Sequence, residues 1–143
     1  MTGSDTRPPL EVVCAIVPMN ERILVARRSK TMTHPGKWEF PGGKIERGET
    51  QEMAIVREIR EELGASVRPV TLLTPSTHAY PHRTIRLIPV VCKHSSGEFH
   101  PHEHDLLAWA SRDELSGFDW CDADLPIVAE VGLRWEEILK MTV

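Results

Sequence analysis

The sequence predicts a layered fold of mixed strands and helices, α/β or α+β. Three observations carry this. Short β-branched runs recur along the chain, one long amphipathic stretch lies in its middle, and a second apolar stripe at helical spacing lies near its end. The chain has 143 residues, of which 41% are hydrophobic and 27% charged, as in one ordinary globular domain.

Residues 1–9 are polar, carry Pro8-Pro9 and lack an apolar run, so a loose tail is expected there and no signal peptide; residues 10–143 then form a single domain. Leu10 to Pro18 (LEVVCAIVP) reads as a buried strand. Arg22 to Arg28 reads as its hairpin partner across Asn20-Glu21. Ser29 to Lys37 is a polar loop. Trp38-Glu39-Phe40 is a short extended piece stopped by Pro41-Gly42-Gly43. Thr50 is a candidate N-cap for a helix running to about Leu63, with Gly64 as its stop. Val67 to Tyr80 and Thr84 to Lys93 read as strands flanking Pro81-His82, and Leu106 to Ala110 as a short strand. Pro126 to Met141 reads as a C-terminal helix with Ile127, Val131, Trp135 and Ile138 along one side.

The net charge is −4, which argues against a stable duplex binder and favours an enzyme on small ligands. No run approaches the ~20 apolar residues of a membrane span. Cys14, Cys92 and Cys121 are far apart and odd in number, so they are expected to be reduced thiols in a cytoplasmic protein. The histidines at 94, 100, 102 and 104 fit no tight zinc spacing and are expected in a solvated loop.

The informative segment is GKIERGETQEMAIVREIREELGA, from Gly43 to Ala65. At ~100° per residue, Glu58, Glu61 and Glu62 share one arc of the helix, while Ile55, Val56, Ile59 and Leu63 share the next. One stripe can pack on a sheet while its neighbour presents three carboxylates. Like charges that close repel, so Arg57, Arg60 or a hard divalent cation such as Mg²⁺ must compensate.

The same segment resembles the Nudix box: Gly, five residues, Glu, seven residues, Arg-Glu, an aliphatic, any residue, Glu-Glu, any residue, Gly and an aliphatic. Gly43, Glu49, Arg57, Glu58, Ile59, Glu61, Glu62, Gly64 and Ala65 meet each position, Ala65 being a small residue for the last. Ala26-Arg27-Arg28, Trp38 to Lys44, His102-Glu103-His104 and Ala123 to Pro126 extend the resemblance to the MutT-like branch and its CTP pyrophosphohydrolase relatives. The resemblance implies a mixed β-sheet between helices (α/β/α). It also implies Mg²⁺-dependent cleavage of a nucleoside triphosphate to monophosphate and pyrophosphate, with Mn²⁺ as a possible substitute, by a monomer or homodimer.

By that resemblance Glu58, Glu61 and Glu62 match the metal-binding glutamates, the Gly42 carbonyl a main-chain ligand, and Glu103 a further ligand or base. Arg57 and Glu49 match the pair that orients the ligands. Lys44 and Arg28 match phosphate contacts, against the alternative of plain surface charges. Phe40, Trp38, Trp120 and Arg83 join the substrate-binding candidates, although Trp120 fits a core place equally well, as Trp109 and Trp135 do. Asp124 is the candidate base reader, since an ionised Asp accepts from an amino group such as N4 of cytosine; the alternative is an N-cap for the last helix. CTP, dCTP or a 5-substituted dCTP is thus the first substrate expectation and 8-oxo-dGTP the second. A non-catalytic sensor domain is a remote third, because every box carboxylate is present.

Overall fold

The structure, a computed structural model, describes residues 6–143. The chain runs β1 (Leu10–Ile16), β2 (Pro18–Met19), β3 (Arg22–Arg27), β4 (Trp38–Glu39), β5 (Gly42–Lys44), α1 (Gln51–Leu63), β6 (Ser66–Leu72), β7 (Ser76–Ala79), β8 (Thr84–Ser96), β9 (Leu106–Ala110), α2 (Leu125–Leu133) and α3 (Trp135–Met141). One sheet has the order β5-β1-β8-β6, with β7 also paired to β8; β1 and β8 are parallel and the remaining pairs antiparallel. A second, antiparallel sheet joins β2, β3 and β4, with β9 on β3.

β1 shows why the fold is layered. Its side chains alternate between faces, and both faces are covered. Val13 and Ala15 pack with Ala54, Ile55, Ile59 and Leu63 of α1. Cys14 and Ile16 pack on the other side with Phe40, Trp120, Ile127, Val131, Trp135 and Ile138. The apolar stripe read for α1 is therefore its buried face, and truncating Ile59 or Leu63 to Ala would cost about 2–5 kcal/mol. The helix begins where Thr50 Oγ1 accepts from Met53 N (3.1 Å) and ends at Gly64, whose φ of 72° favours glycine.

Three expectations need correction. The hairpin exists only at its tip, where Pro18 and Met19 pair with Ile23 and Arg22 around Asn20 and Glu21, both at positive φ. The main run of β1 lies in the other sheet, claimed by β5 and β8. The strand read from Val67 to Tyr80 divides in two because Thr74-Pro75 interrupts it, and proline cannot donate to a ladder. The C-terminal helix breaks at Arg134, whose guanidinium bridges Glu130 and Glu137 across the break. Of the expected loose tail, residues 1–5 lie outside the described residues. Arg7 donates to the His82 carbonyl and Arg83 to the Pro8 carbonyl, each at 3.0 Å. No helix among the described residues is long and apolar enough to cross a membrane.

Candidate active site

β5 is an edge strand laid tightly along β1. A Cβ on Gly42 would lie 2.7 Å from Cys14 Cα and closer still to the Val13 carbonyl, so only glycine allows this approach. A Cβ on Gly43 would meet not backbone but the Glu58 carboxylate, 2.7 Å from Oε1. The two glycines thus seat the first turn of the box against the carboxylate face of α1.

Arg57 is the hub of that face. Its guanidinium takes Glu49 in a fork (2.6 and 2.8 Å), Glu58 at 2.8 Å, Glu61 at 3.2 Å and the Lys44 carbonyl at 3.0 Å. These contacts hold the Glu49 carboxyl down at about 2, with Arg57 as the main cause and the Glu46 amide the next. Glu62 behaves oppositely. Burial, then repulsion from Glu58, Glu39 and Glu103, pushes its carboxyl up to about 8, and its Oε2 is buried without a hydrogen-bond partner among the described residues. The loop after β8 closes this end: the amides of His100 and His102 satisfy the last carbonyls of α1, Leu63 and Glu62, at 2.8 and 3.1 Å. Glu103 thereby stands exposed, near enough to Glu62 to add to its repulsion.

A cavity of about 770 Å³ adjoins the carboxylate face. It gathers Gly42, Lys44, Glu58, Glu62, Arg28, Phe40, Arg83 and Asp124 from the residues expected at the site, together with Glu39, Cys14, Tyr80 and Cys121. Glu61, Glu103, Arg57, Glu49 and Trp120 do not line it. Glu61 points to solvent with its side chain 61% exposed. Among the described residues no three His, Cys, Asp or Glu side chains converge closely enough to enclose a cation, and Arg57 supplies positive charge to Glu58 and Glu61. The donor set nonetheless fits a hard divalent ion: Glu58 and Glu62 offer carboxylate oxygens beside the Gly42 main chain, and the orphaned Glu62 Oε2 lacks a counter-charge.

Asp124, also in the cavity lining, is 3% exposed, and its Oδ2 accepts from the Phe40 amide at 3.0 Å. It makes no side-chain cap to α2, which removes the N-cap alternative. Burial, then Glu39, pushes its carboxyl well above the usual carboxylate range, which favours the protonated form more than in an exposed Asp. Trp120 is core. It is 4% exposed, donates to the Leu115 carbonyl at 2.7 Å and packs on Phe40 with ring centroids 4.8 Å apart. Phe40 borders the cavity with its ring in that same core, so neither ring is free to stack on a base. Trp38 packs edge-on against Phe118. Arg28 is tied to Glu39 (2.9 Å) and to Thr33.

The expectation of a solvated histidine loop also fails in part. His94 lies on β8, and His104 is buried against Glu39. Glu39 in the cavity wall and His104 bonded to it were not singled out in the sequence as site residues, although both sit inside strings that carried the resemblance. All three cysteines are buried and unpaired.

A glycine-tight edge strand, an arginine-braced row of glutamates and a cavity beside them define the class. The chain matches the family model for the NUDIX domain over residues 7–135 and belongs to that family, whose members hydrolyse phosphoric anhydride bonds with the help of divalent cations. Within it, the chain is 35% identical over 119 residues to the CTP pyrophosphohydrolase of Escherichia coli K12, covering 83% of this chain and 88% of that protein. It is also 35% identical over 112 residues to the 8-oxo-dGTP diphosphatase of the same organism, covering 78% and 87%. The solution structure of the E. coli ORF135 protein superposes with a TM-score of 0.80 at 33% identity, over 90% of this chain and 91% of that one.

Proposed function

We propose that this hydrolase is a Mg²⁺-dependent nucleoside triphosphate pyrophosphohydrolase that releases a monophosphate and pyrophosphate, acting on CTP, dCTP or a 5-substituted dCTP. The observation that supports it best is the lining of the cavity. Glu58, Glu62 and Lys44 border it together with the buried Asp124, so a polyphosphate and a base each have candidate partners there. The likeness to a CTP pyrophosphohydrolase supports the choice of base.

Bound Mg²⁺ supplies charge neutralisation at the phosphate oxygens and lowers the pKa of its water. The chain does the rest. Glu58, Glu61, Glu62, Glu103 and the Gly42 carbonyl are the ligand candidates. One carboxylate of this cluster takes the proton from the attacking water, and its titration belongs to the coupled cluster rather than to one residue. Lys44 and Arg28 meet the phosphates. Arg57, braced by Glu49, fixes the glutamates. Arg83 borders the same cavity with one guanidinium nitrogen committed to Pro8. Asp124 reads the base edge. The three unpaired buried thiols suit a cytoplasmic setting.

One observation favours a second reading, 8-oxo-dGTP. Burial raises the Asp124 pKa, and a protonated Asp124 would offer one donor and one acceptor, as the asparagine at the matching place in relatives for oxidised guanine does. The test is kcat/KM on all natural NTPs and dNTPs with 8-oxo-dGTP and 5-methyl-dCTP. The cytosine substrates should lead. An 8-oxo-dGTP preference selects the second reading, and no turnover of any triphosphate overturns both.

A further inference from the structure

His104 has a fully buried side chain and does not line the cavity, yet it is bonded to a residue that does. Its Nε2 lies 2.7 Å from Glu39 Oε2, and its Nδ1 is buried without a partner among the described residues. Glu39 stands in the cavity wall, and its other oxygen accepts from Arg28 Nη1 at 2.9 Å. Arg28 reaches on to Thr33 Oγ1 at 2.8 Å and to the Thr33 carbonyl. A line of hydrogen bonds therefore runs from the loop after β8 to the polar loop before β4, which forms another part of the wall.

The chemistry of this line sets the state of the ring. A carboxylate held between a guanidinium and an imidazole accepts from both, so Nε2 carries the proton. A proton on Nδ1 would sit buried with no acceptor. Without the imidazole, Glu39 keeps Arg28 as its only side-chain hydrogen-bond partner among the described residues and is free to swing into the cavity, taking Arg28 with it.

We propose that His104 is a positioning residue: it fixes the Glu39 carboxylate and, through it, the Arg28 guanidinium in the wall of the substrate cavity. It touches neither the carboxylate row of α1 nor the reacting phosphate. Its effect falls on substrate binding and not on the chemical step.

Two measurements test this. Nitrogen-15 NMR of the wild-type protein should show His104 as the Nε2–H tautomer with a slowly exchanging ring proton; an Nδ1–H tautomer or a freely exchanging ring overturns the proposal. In kinetics with the best triphosphate, His104→Phe should raise KM about tenfold and leave kcat within about threefold. His104→Gln, whose amide nitrogen reaches the place of Nε2, should return KM to within about threefold of wild type. A loss confined to kcat, or a Gln variant no better than Phe, overturns it. Should the Phe variant fail to fold, His104→Asn, whose shorter amide falls short of Glu39, takes its place against Gln. The kinetic arm rests on the proposed triphosphate reading. If no triphosphate is turned over, that reading fails by itself, and the ring measurement, made without substrate, decides the role of His104 alone.

Discussion

Gly43→Ala separates activity from stability at neighbouring positions. A methyl group there would overlap the whole Glu58 carboxylate, most closely at Oε2 and still only 2.7 Å from Oε1, where ordinary contact begins at 3.4 Å, so the carboxylate must retreat by about 1 Å. Its bond to Arg57 at 2.8 Å is then stretched or lost. Misplacing a reacting group by about 1 Å costs on the order of 100-fold in rate, or about 2.7 kcal/mol. Since the buried stripe of α1 faces away from Glu58, the melting temperature should stay within a few degrees. Gly42→Ala should do the reverse, because its methyl group strikes the backbone of β1, which cannot step aside. Overpacking of this kind costs about 1–3 kcal/mol or more, read as a Tm loss of ~5 °C or more. The assay is kcat by pyrophosphate release beside thermal unfolding. Wild-type kcat in Gly43→Ala would show that catalysis does not need Glu58 where the structure places it, and an undiminished Tm in Gly42→Ala would refute the tight edge pairing.

Glu61→Gln should keep the fold, its side chain being largely exposed, and lower kcat by about 100-fold or more; activity within a few-fold of wild type would make Glu61 a plain surface charge. Asp124→Asn keeps an acceptor for the Phe40 amide and nearly the same volume, so stability should hold, but it exchanges the second acceptor oxygen of an ionised Asp124 for a donor, and kcat/KM for dCTP should fall by about 10-fold or more; no loss, or equal loss across all bases, would remove Asp124 as the acceptor that reads cytosine. Glu62, raised to about 8 from an ordinary 4.5, destabilises the metal-free fold as pH rises between those values. Glu62→Gln should flatten that slope, and Mg²⁺ should raise Tm more at a pH of about 8.5 than at about 6, since at the lower pH it must displace a proton; equal shifts at both would contradict the assignment.

What the sequence disclosed was local. The cap at Thr50, the stop at Gly64, the two stripes of α1 and the Glu49–Arg57 fork all lie within one short segment, where spacing alone sets geometry. What it hid was long-range. The Phe40–Asp124 bond spans 84 positions and the Glu39–His104 bond 65, and no periodicity marks either. The burial that raises the Asp124 pKa is a property of the assembled cavity. Trp120 was undecidable from its neighbours, because whether a tryptophan packs or stacks depends on what the fold brings to its face. The same holds for β1, whose apolar run suits either sheet and whose partner is chosen by β8, more than sixty residues later.

Which phosphoric anhydride bond breaks is read from the products. Phosphorus-31 NMR of a dCTP digest in Mg²⁺ should show dCMP and pyrophosphate rising together and should show no reaction in excess EDTA. Accumulation of dCDP with inorganic phosphate, or full turnover in chelator, would contradict the account.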